Sequence, residues 1–501
     1  MTTETICCTE AQATQPACES DSIKIVLQKN IDTHAIDTKQ NEVSCKTAET
    51  KSDLNSQQDS TINKTAQSQL HKKNIAKATY LGICFMVTFT AFNTCQNMVS
   101  SIYDKMGYDS LGNIALFAIY FAFGISNIFA PSIVRRVSYK LCLILGSLGF
   151  IPFMAIGVVI SGCTDGNDVA PSSKDTQCQD NFIYSSIIIT SLILGTTAAI
   201  YYTTAGNYMD QISKSLPEQR GTYFGIFWSL NASSFIIGAI LGTVLLSKTS
   251  YLVFFTVMLI LGIVASFLCL FIPNISKPKE QSKSSFTLRA DLQEYWALVK
   301  TKSLHPLLLY MGFNGVIIAF YSGFLYRLVE RSLGDGISSS EITTYVSYIY
   351  ICLGVSQMIS GYLTGKLSDK MNQYKLAYHS VTIIEVALLT GLLAYMAKSY
   401  MICFFCAFLF GFCDCCLQSL ISIISSKDYS GKEQIFAVKY LVSSIFLVLT
   451  VAINILLKNQ EVYYFIMIIF IFQIMASYAV ISLNKPKSDD CQIKNAKECQ
   501  I

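Results

Sequence analysis

Charged residues are scarce in this chain. Asp, Glu, Lys and Arg make up 14% of its 501 residues, whereas hydrophobic residues make up 52%. A soluble globular chain carries roughly 25% charged residues. The deficit therefore excludes an ordinary soluble domain and indicates a membrane protein with many spans. The formal net charge of +4 is too small and too scattered to indicate a nucleic-acid partner.

Motifs of enzyme active sites are also missing. The sequence has no nucleotide-binding glycine loop, no His-Glu-x-x-His zinc motif and no pattern typical of a Ser/His/Asp triad. Its four histidines lie in the N-terminal tail or at the ends of apolar segments. We therefore expect no enzymatic activity, no cofactor and no metal site.

Cysteine is abundant, but its placement is not that of a disulfide framework. Most of the 18 cysteines lie inside apolar segments, where a thiol behaves as a small hydrophobe. Cys163 and Cys178 instead share one polar loop, and they are candidates for a disulfide if this loop faces an oxidising compartment. The sequence alone leaves this pairing open.

Twelve apolar windows are each long enough, at roughly 20 residues, to cross the hydrocarbon of a bilayer. Lys and Arg are enriched in every second loop, which predicts that both termini are cytoplasmic in the plasma membrane or an endomembrane. The predicted fold class is an all-α membrane protein in contact with the lipid bilayer. The predicted spans are 77–101, 110–131, 139–161, 182–208, 221–246, 250–272, 304–327, 341–365, 375–397, 400–424, 435–458 and 461–483.

The longest loop between spans divides the twelve into two sets of six, which is typical of secondary transporters with the major facilitator fold. The dipeptide Glu-Gln occurs after span four, as Glu218-Gln219, and again after span ten, as Glu433-Gln434. This repeat is weak evidence that the two halves are related. The predicted domains are a disordered cytoplasmic tail (1–75), an N-terminal six-helix half (76–272), a cytoplasmic linker (273–303), a C-terminal six-helix half (304–483) and a cytoplasmic tail (484–501).

The stretch from Leu192 to Gly238 covers two neighbouring spans joined by a charged turn. Small residues recur every few positions, which lets helix backbones approach closely in lipid, and Tyr, Thr and Asn lie between them. The polar face meets either a cavity or a neighbouring helix. In the first case Tyr201, Asn207 and Trp228 line a solute path, and in the second these residues only fill space.

Further polar residues lie where lipid would otherwise surround them. Asn93, Gln96 and Asn97 share one face of span one, and Asp414 and Gln418 are one turn apart near the middle of span ten. Buried amides and carboxylates are costly in a membrane unless they are paired. These residues therefore either line a solute path or join helices, and the carboxylate suits a proton relay, a cation contact or a structural pair.

The end of span eight carries a candidate gating loop. Gly365, Asp369 and Lys370 follow the Gly-x-x-x-Asp-Lys/Arg pattern that resembles the gating loop of major facilitators. The pattern predicts that Asp369 lies near the N-terminus of a neighbouring helix. After span two, Arg135 and Arg136 keep the basic pair but the acid is missing, so the sequence does not support a latch on both halves.

Two more charged residues lie within predicted spans. Glu385 has no obvious local partner, and we expect it to be protonated and hydrogen-bonded to a neighbouring helix. Lys439, early in span eleven, pairs with Asp414 or extends its amine to the cytoplasm, and we expect the second.

Residues 77–483 resemble the UNC-ninety-three-like branch of the major facilitator superfamily, with the closest likeness to its small members. The strings that carry the resemblance are Phe85–Asn97, Gly195–Tyr208, Gly225–Trp228 with Ser233, Ser234 and Gly238, and Gly411 with Asp414, Gln418, Phe436 and Ala437. Tyr201-Tyr202 and Ala205 replace the residues usual in the family, Leu-Trp and Gln.

The resemblance implies a twelve-helix facilitator fold but leaves the activity open. Members are described as orphan solute carriers or as regulatory companions of potassium channels and innate immune receptors. Our first hypothesis is translocation of a small solute or ion by alternating access of the two halves. The second is an accessory protein without transport that regulates or escorts a channel or receptor, and the third is a purely structural bundle.

Overall fold

The computed structural model describes residues 31–108, 110–163, 178–275, 288–334, 337, 339–456 and 462–483. The chain divides into two units, Met1–Gln69 and Leu70–Ile501. In the first unit the described residues, 31–69, are helical. The predicted N-terminal tail is therefore helical over 31–75, whereas residues 1–30 and the predicted tail at 484–501 lie outside the described residues.

Every regular element in the described ranges is helical, so the predicted all-α class is confirmed. The α-helices are α1 Ile31–Lys105, α2 Leu111–Arg136, α3 Tyr139–Leu148, α4 Ile151–Cys163, α5 Asp180–Ser213, α6 Arg220–Lys248, α7 Tyr251–Cys269, α8 Leu288–Val299, α9 His305–Ala319, α10 Leu325–Leu333, α11 Ser339–Lys370, α12 Gln373–Ala397, α13 Tyr400–Asp428, α14 Gln434–Leu456 and α15 Val462–Leu483. A π-helical turn, Phe320–Phe324, joins α9 to α10.

Twelve helical segments in the described ranges are long and apolar enough to cross a membrane, as predicted. We number them spans one to twelve: Lys64–Gln96, Leu111–Arg136, Tyr139–Cys163, Asp180–Ser213, Pro217–Lys248, Tyr251–Cys269, Lys302–Leu333, Thr344–Lys370, Gln373–Ala397, Tyr400–Asp428, Gln434–Ile453 and Ile466–Leu483. Large apolar side chains such as Phe117, Leu389 and Met401 are 61–74% exposed on their outer faces, which is the surface that lipid covers.

Spans one to six and seven to twelve form the two halves. Helix α8, which we call the linker helix, lies between them in sequence and is amphipathic rather than membrane-spanning. Ion pairs join it to the end of span two. We call this end of the bundle the linker side and the other end the far side.

Spans five and eight bring the two halves into backbone contact. Each carries a Gly-x-x-x-Gly motif, Gly221 with Gly225 and Gly361 with Gly365. A Cβ atom added at Gly365 would lie 2.6 Å from the Cα of Gly225, and one added at Gly361 would lie 3.1 Å from the backbone nitrogen of Ser229. Because dispersion and close packing hold helices together in lipid, small residues at these positions are what the contact requires.

Candidate functional site

A cavity of about 170 Å³ lies between the two halves. Spans one to five of the first half and spans seven, eight, ten and eleven of the second contribute to its wall. Five residues singled out in the sequence line it, namely Asn93, Gln96, Trp228, Asp414 and Gln418. Residues that are far apart in sequence thus meet at one site because the two six-helix halves face each other.

Asp414 is the carboxylate of this cavity and is 5% exposed. Its Oδ2 accepts a hydrogen bond from Gln357 Nε2 at 2.8 Å, and its Oδ1 accepts one from Asn314 Nδ2 at 3.3 Å. The Ser443 hydroxyl donates in turn to Asn314 Oδ1 at 3.4 Å. Spans seven and eight therefore bond this carboxylate directly, and span eleven supports Asn314. These bonds offset part of the cost of burying the carboxylate.

Sequence reasoning missed Asn314 and Gln357. Both are single amides in strongly apolar spans, and an intramembrane amide is a signal of its own. Their common partner could not be read from the chain, since they lie 100 and 57 residues from Asp414.

Lys439 lies behind the cavity wall, where its Nζ contacts Trp228 and Gln418, two of the lining residues. It is 1% exposed, and its Nζ donates to Ser422 Oγ at 3.0 Å and lies 4.5 Å from the centroid of the Trp228 ring. Trp228 Nε1 donates to the same Ser422 oxygen at 3.1 Å. The expectation that Lys439 reaches the cytoplasm is therefore wrong. The hydroxyl and the indole face replace water around the amine, and Asp414 is the carboxylate that interacts with it electrostatically.

Two predicted cavity residues lie elsewhere. Tyr201 stacks on Phe85 with 4.1 Å between ring centroids, and its hydroxyl meets Thr88 and Cys269. Successive helical residues point about 100° apart, and it is the next residue, Tyr202, that lines the cavity.

Asn207 lies on the linker side rather than at the cavity. Its Nδ2 donates to the Glu433 carbonyl at 3.2 Å and to the Thr203 carbonyl at 3.1 Å. This amide therefore joins span four to the loop before span eleven. The side chain of Asn97, the remaining residue of the predicted path, lies outside the described side chains.

Asp369 lies at the N-terminus of the helix of span five, as the gating-loop pattern predicts. Its Oδ1 accepts from the Gly221 backbone N–H at 2.6 Å, and its Oδ2 accepts from the backbone N–H and the hydroxyl of Thr222 at 2.8 and 2.6 Å. These amides have no partner within their own helix, and the positive end of the helix dipole favours the carboxylate. Gly365 lies in the backbone contact between the halves, and Lys370 is exposed.

A second acid joins the halves on the linker side. Glu433 Oε1 accepts from the Tyr139 hydroxyl at 3.0 Å, and its Oε2 lies 3.8 Å from Arg135 Nε. Arg135 also pairs with Asp291 and Glu294 of the linker helix, each at 3.0 Å. Arg135 of the first half, whose own loop lacks the acid, thus lies beside an acid of the other half.

Two further contacts involve residues that stand out in the sequence. A disulfide joins Cys163 to Cys178, between spans three and four on the far side. Glu385 accepts a hydrogen bond from Gln473 Nε2, which joins span nine to span twelve. The expectation that Glu385 bonds to a neighbouring helix is therefore confirmed.

The sequence profile described as the Major Facilitator Superfamily matches residues 81–445. Among curated proteins, the chain is 22% identical over 412 residues to "UNC93-like protein MFSD11" of Xenopus laevis, covering 73% of this chain and 86% of that one. It is 23% identical over 408 residues to "Protein unc-93 homolog A" of Homo sapiens, covering 70% and 81%. A 96-residue stretch, 19% of this chain and 13% of the relative, is 28% identical to "Putative potassium channel regulatory protein unc-93" of Caenorhabditis elegans.

A solved structure has the same fold. It is titled "Crystal structure of a bacterial homologue of iron transporter ferroportin in outward-facing state with soaked iron", and it superimposes with a TM-score of 0.61 at 12% identity over 82% of this chain and 99% of that one. At this identity the likeness concerns the fold alone. The profile match over most of the chain shows that this multi-pass membrane protein belongs to the major facilitator superfamily, where it is related to the UNC93-like proteins.

Proposed function

We propose that this protein carries a small solute across a membrane by alternating access, with the cavity around Asp414 as the solute site. The observation that carries the proposal is a hydrogen-bonded carboxylate buried in a cavity that both halves line. An ionisable group that faces a cavity inside a membrane is expensive to keep and is typical of a substrate or ion pathway. Binding near the middle of the bundle, between two halves, is the arrangement of secondary transporters.

The linker-side contacts support a closed state at that end. Asp369 and Glu433 each bond across the halves, and Asp210 accepts a hydrogen bond from Ser426, also across the halves. Breaking these contacts while new ones form on the far side would expose the same cavity to the opposite compartment.

The orientation and the membrane belong to the same proposal. We infer that the linker side faces the cytoplasm, because basic residues are concentrated in its loops. A far side in an oxidising compartment suits the disulfide between Cys163 and Cys178. The plasma membrane and an endomembrane both satisfy these conditions. We expect the chain to act without catalysis.

Transport can be tested before the solute is known. Proteoliposomes with the full chain are incubated with a mixed extract of small metabolites, and their contents are analysed by mass spectrometry. We expect at least one solute to enter with the wild type and at least tenfold less of it with Asp414→Asn. Glu385→Gln is the matched control, because it removes a second intramembrane carboxylate that lies outside the cavity. No wild-type-dependent solute, or equal loss with both variants, would contradict the proposal.

An accessory role is the second candidate, and the observation in its favour is the printed name of the relative described as a potassium channel regulatory protein. We propose this role only in place of transport. Purification of the tagged chain in mild detergent, followed by mass spectrometry, separates the two. A channel or receptor recovered in stoichiometric amount, with no solute entering the proteoliposomes, would replace the first proposal by the second.

A further inference from the structure

Three carbonyl oxygens in the cavity wall have no hydrogen-bond partner within the described part of the chain. They are Asn231 Oδ1, Gln357 Oε1 and Gln418 Oε1, and each is buried. They come from spans five, eight and ten, and all three residues line the cavity. Buried polar groups in proteins are nearly always paired, and an acceptor without a donor is costly. A bound ligand that supplies donors, or ordered water, would satisfy such a set.

The orientation of one amide is fixed by its neighbour. Gln357 Nε2 donates to the Asp414 carboxylate, so turning this amide over would set its oxygen against a carboxylate oxygen. With Asp414 ionised, the amide is thus oriented so that Gln357 Oε1 remains a free acceptor. Together with Asp414, the cavity presents acceptors from both halves, and the unpaired polar atoms among its described lining residues are all acceptors.

The rest of the wall is largely aromatic. Tyr202 and Tyr440 lie with ring centroids 5.0 Å apart, and Phe123 lies 6.0 Å from Tyr440. The face of Trp228 is already covered by Lys439. Aromatic faces accept an apolar body or the methylene groups beside a cation, whereas they offer nothing to a strongly hydrated ion.

We propose that the cavity binds a small organic cation whose charged nitrogen carries several N–H donors, such as a primary ammonium group on an aromatic or aliphatic body. The nitrogen lies among Asp414 and the three unpaired oxygens, and the body packs against the tyrosine and phenylalanine rings. The volume of about 170 Å³ restricts the ligand to a small molecule. Transport of this ligand rests on the proposed function, whereas its binding can be tested separately.

A metal ion fits the cavity less well. Within the described residues no group of three or more His, Cys, Asp or Glu side chains could hold a metal ion. Asp414 is the one carboxylate in the cavity wall that the structure describes. Amide oxygens also bind alkali cations, so sodium and potassium are included in the test.

Binding can be read from Trp228, which lines the cavity and is one of two tryptophans in the chain. In the full chain with Trp296→Phe, fluorescence titrations use four compounds with the same phenyl body: phenethylamine, its N,N,N-trimethyl derivative, 2-phenylethanol and 3-phenylpropionate. We expect phenethylamine to bind at least tenfold more tightly than the other three. Equal binding of the alcohol or the carboxylate, a response to sodium or potassium alone, or no response to phenethylamine would overturn the proposal.

Variants locate the site. Gln418→Met keeps the length of the side chain and removes one unpaired acceptor, so we expect the dissociation constant of phenethylamine to rise about tenfold. Gln473→Met is the matched control, because Gln473 also has an unpaired buried oxygen but lies outside the cavity. An equal rise with both variants would overturn the assignment of the site. Tight binding without uptake of phenethylamine into proteoliposomes would refute transport and leave the ligand class intact.

Discussion

Gly225 and Gly365 hold the two halves in contact without a side chain between them. A Cβ atom on Gly365 would lie 2.6 Å from the Cα of Gly225, and one on Gly225 would lie 2.7 Å from the Cα of Gly365. The two residues are 140 positions apart and belong to different halves. Because the contact is made by backbone, it cannot be relieved by turning a flexible side chain away.

Gly365→Ala is therefore expected to weaken the association of spans five and eight. The added methyl group requires a backbone shift, and overpacking of this kind costs about 1–3 kcal/mol. We expect a lower apparent melting temperature, read as the fraction of monodisperse protein left after heating in detergent. Gly162→Ala is the control, since a Cβ there meets nothing within 4 Å. Identical melting of both variants would contradict the packing account.

Asp369→Asn should loosen the start of the helix in span five. The carboxylate accepts three hydrogen bonds there, and the neutral amide loses the charge that strengthens them. The site is partly exposed, so we expect a loss of about 1–2 kcal/mol. Hydrogen exchange at the Gly221 and Thr222 amides should become roughly tenfold faster or more. Lys370→Gln, at the exposed neighbouring position, should leave these amides unchanged, and equal exchange in both variants would be inconsistent with the cap.

Glu433→Gln tests the second linker-side contact. In a double-mutant cycle with Tyr139→Phe, we expect a coupling energy of about 1 kcal/mol, because substitutions at contacting residues do not have additive effects on the free energy of unfolding. The measurement is equilibrium unfolding in mixed micelles. Glu218 is the matched control, since it occupies the corresponding position after span four but is exposed. Additive effects of the two substitutions would show that the contact between Tyr139 and Glu433 contributes nothing to the free energy of unfolding.

Much of the architecture could be predicted from sequence, because span length and apolar composition are properties of consecutive residues. The twelve spans follow from these properties, and Asp414 stands out because a carboxylate in an apolar helix is conspicuous. The position of Asp369 at a helix N-terminus also follows from a local pattern.

Contacts between spans could not be predicted in the same way. Lys439 was expected in the cytoplasm because its partners Trp228 and Ser422 belong to other spans and are not visible in its own helix. Tyr201 and Tyr202 are neighbours in sequence, and only the rotation of the helix about its axis decides which of them faces the cavity. The sequence does not determine this rotation. Glu218 and Glu433 occupy similar positions in the two halves, but the sequence does not show which of the two acids has a partner in the other half.

Lys439→Met should strengthen the binding of a cationic ligand. Protonated Lys439 interacts electrostatically with Asp414, and its positive charge opposes a second cation at the same carboxylate. We expect phenethylamine to bind up to about tenfold more tightly, or ~1.4 kcal/mol, by fluorescence titration. Lys427→Met, which removes an exposed lysine from span ten, serves as the control. Weaker binding in Lys439→Met alone would mean that the lysine shapes the site rather than opposing the ligand.

Under the proposed alternating access, the two halves exchange contacts between the linker side and the far side around one cavity. Asp369→Asn and Glu433→Gln together weaken both linker-side contacts. The double variant should therefore favour the state that is open on the linker side. The halves should then approach each other on the far side, because one rocking motion moves both ends.

Double electron–electron resonance measures this motion most directly. Spin labels are attached through ketone-bearing residues, so that the native cysteines remain, in pairs of exposed positions in the two halves: Glu218 with Lys432 on the linker side, and Lys248 with Ala397 on the far side. In the double variant we predict that the linker-side distance lengthens while the far-side distance shortens. A longer linker-side distance with an unchanged far-side distance, or no change at either end, would contradict alternating access.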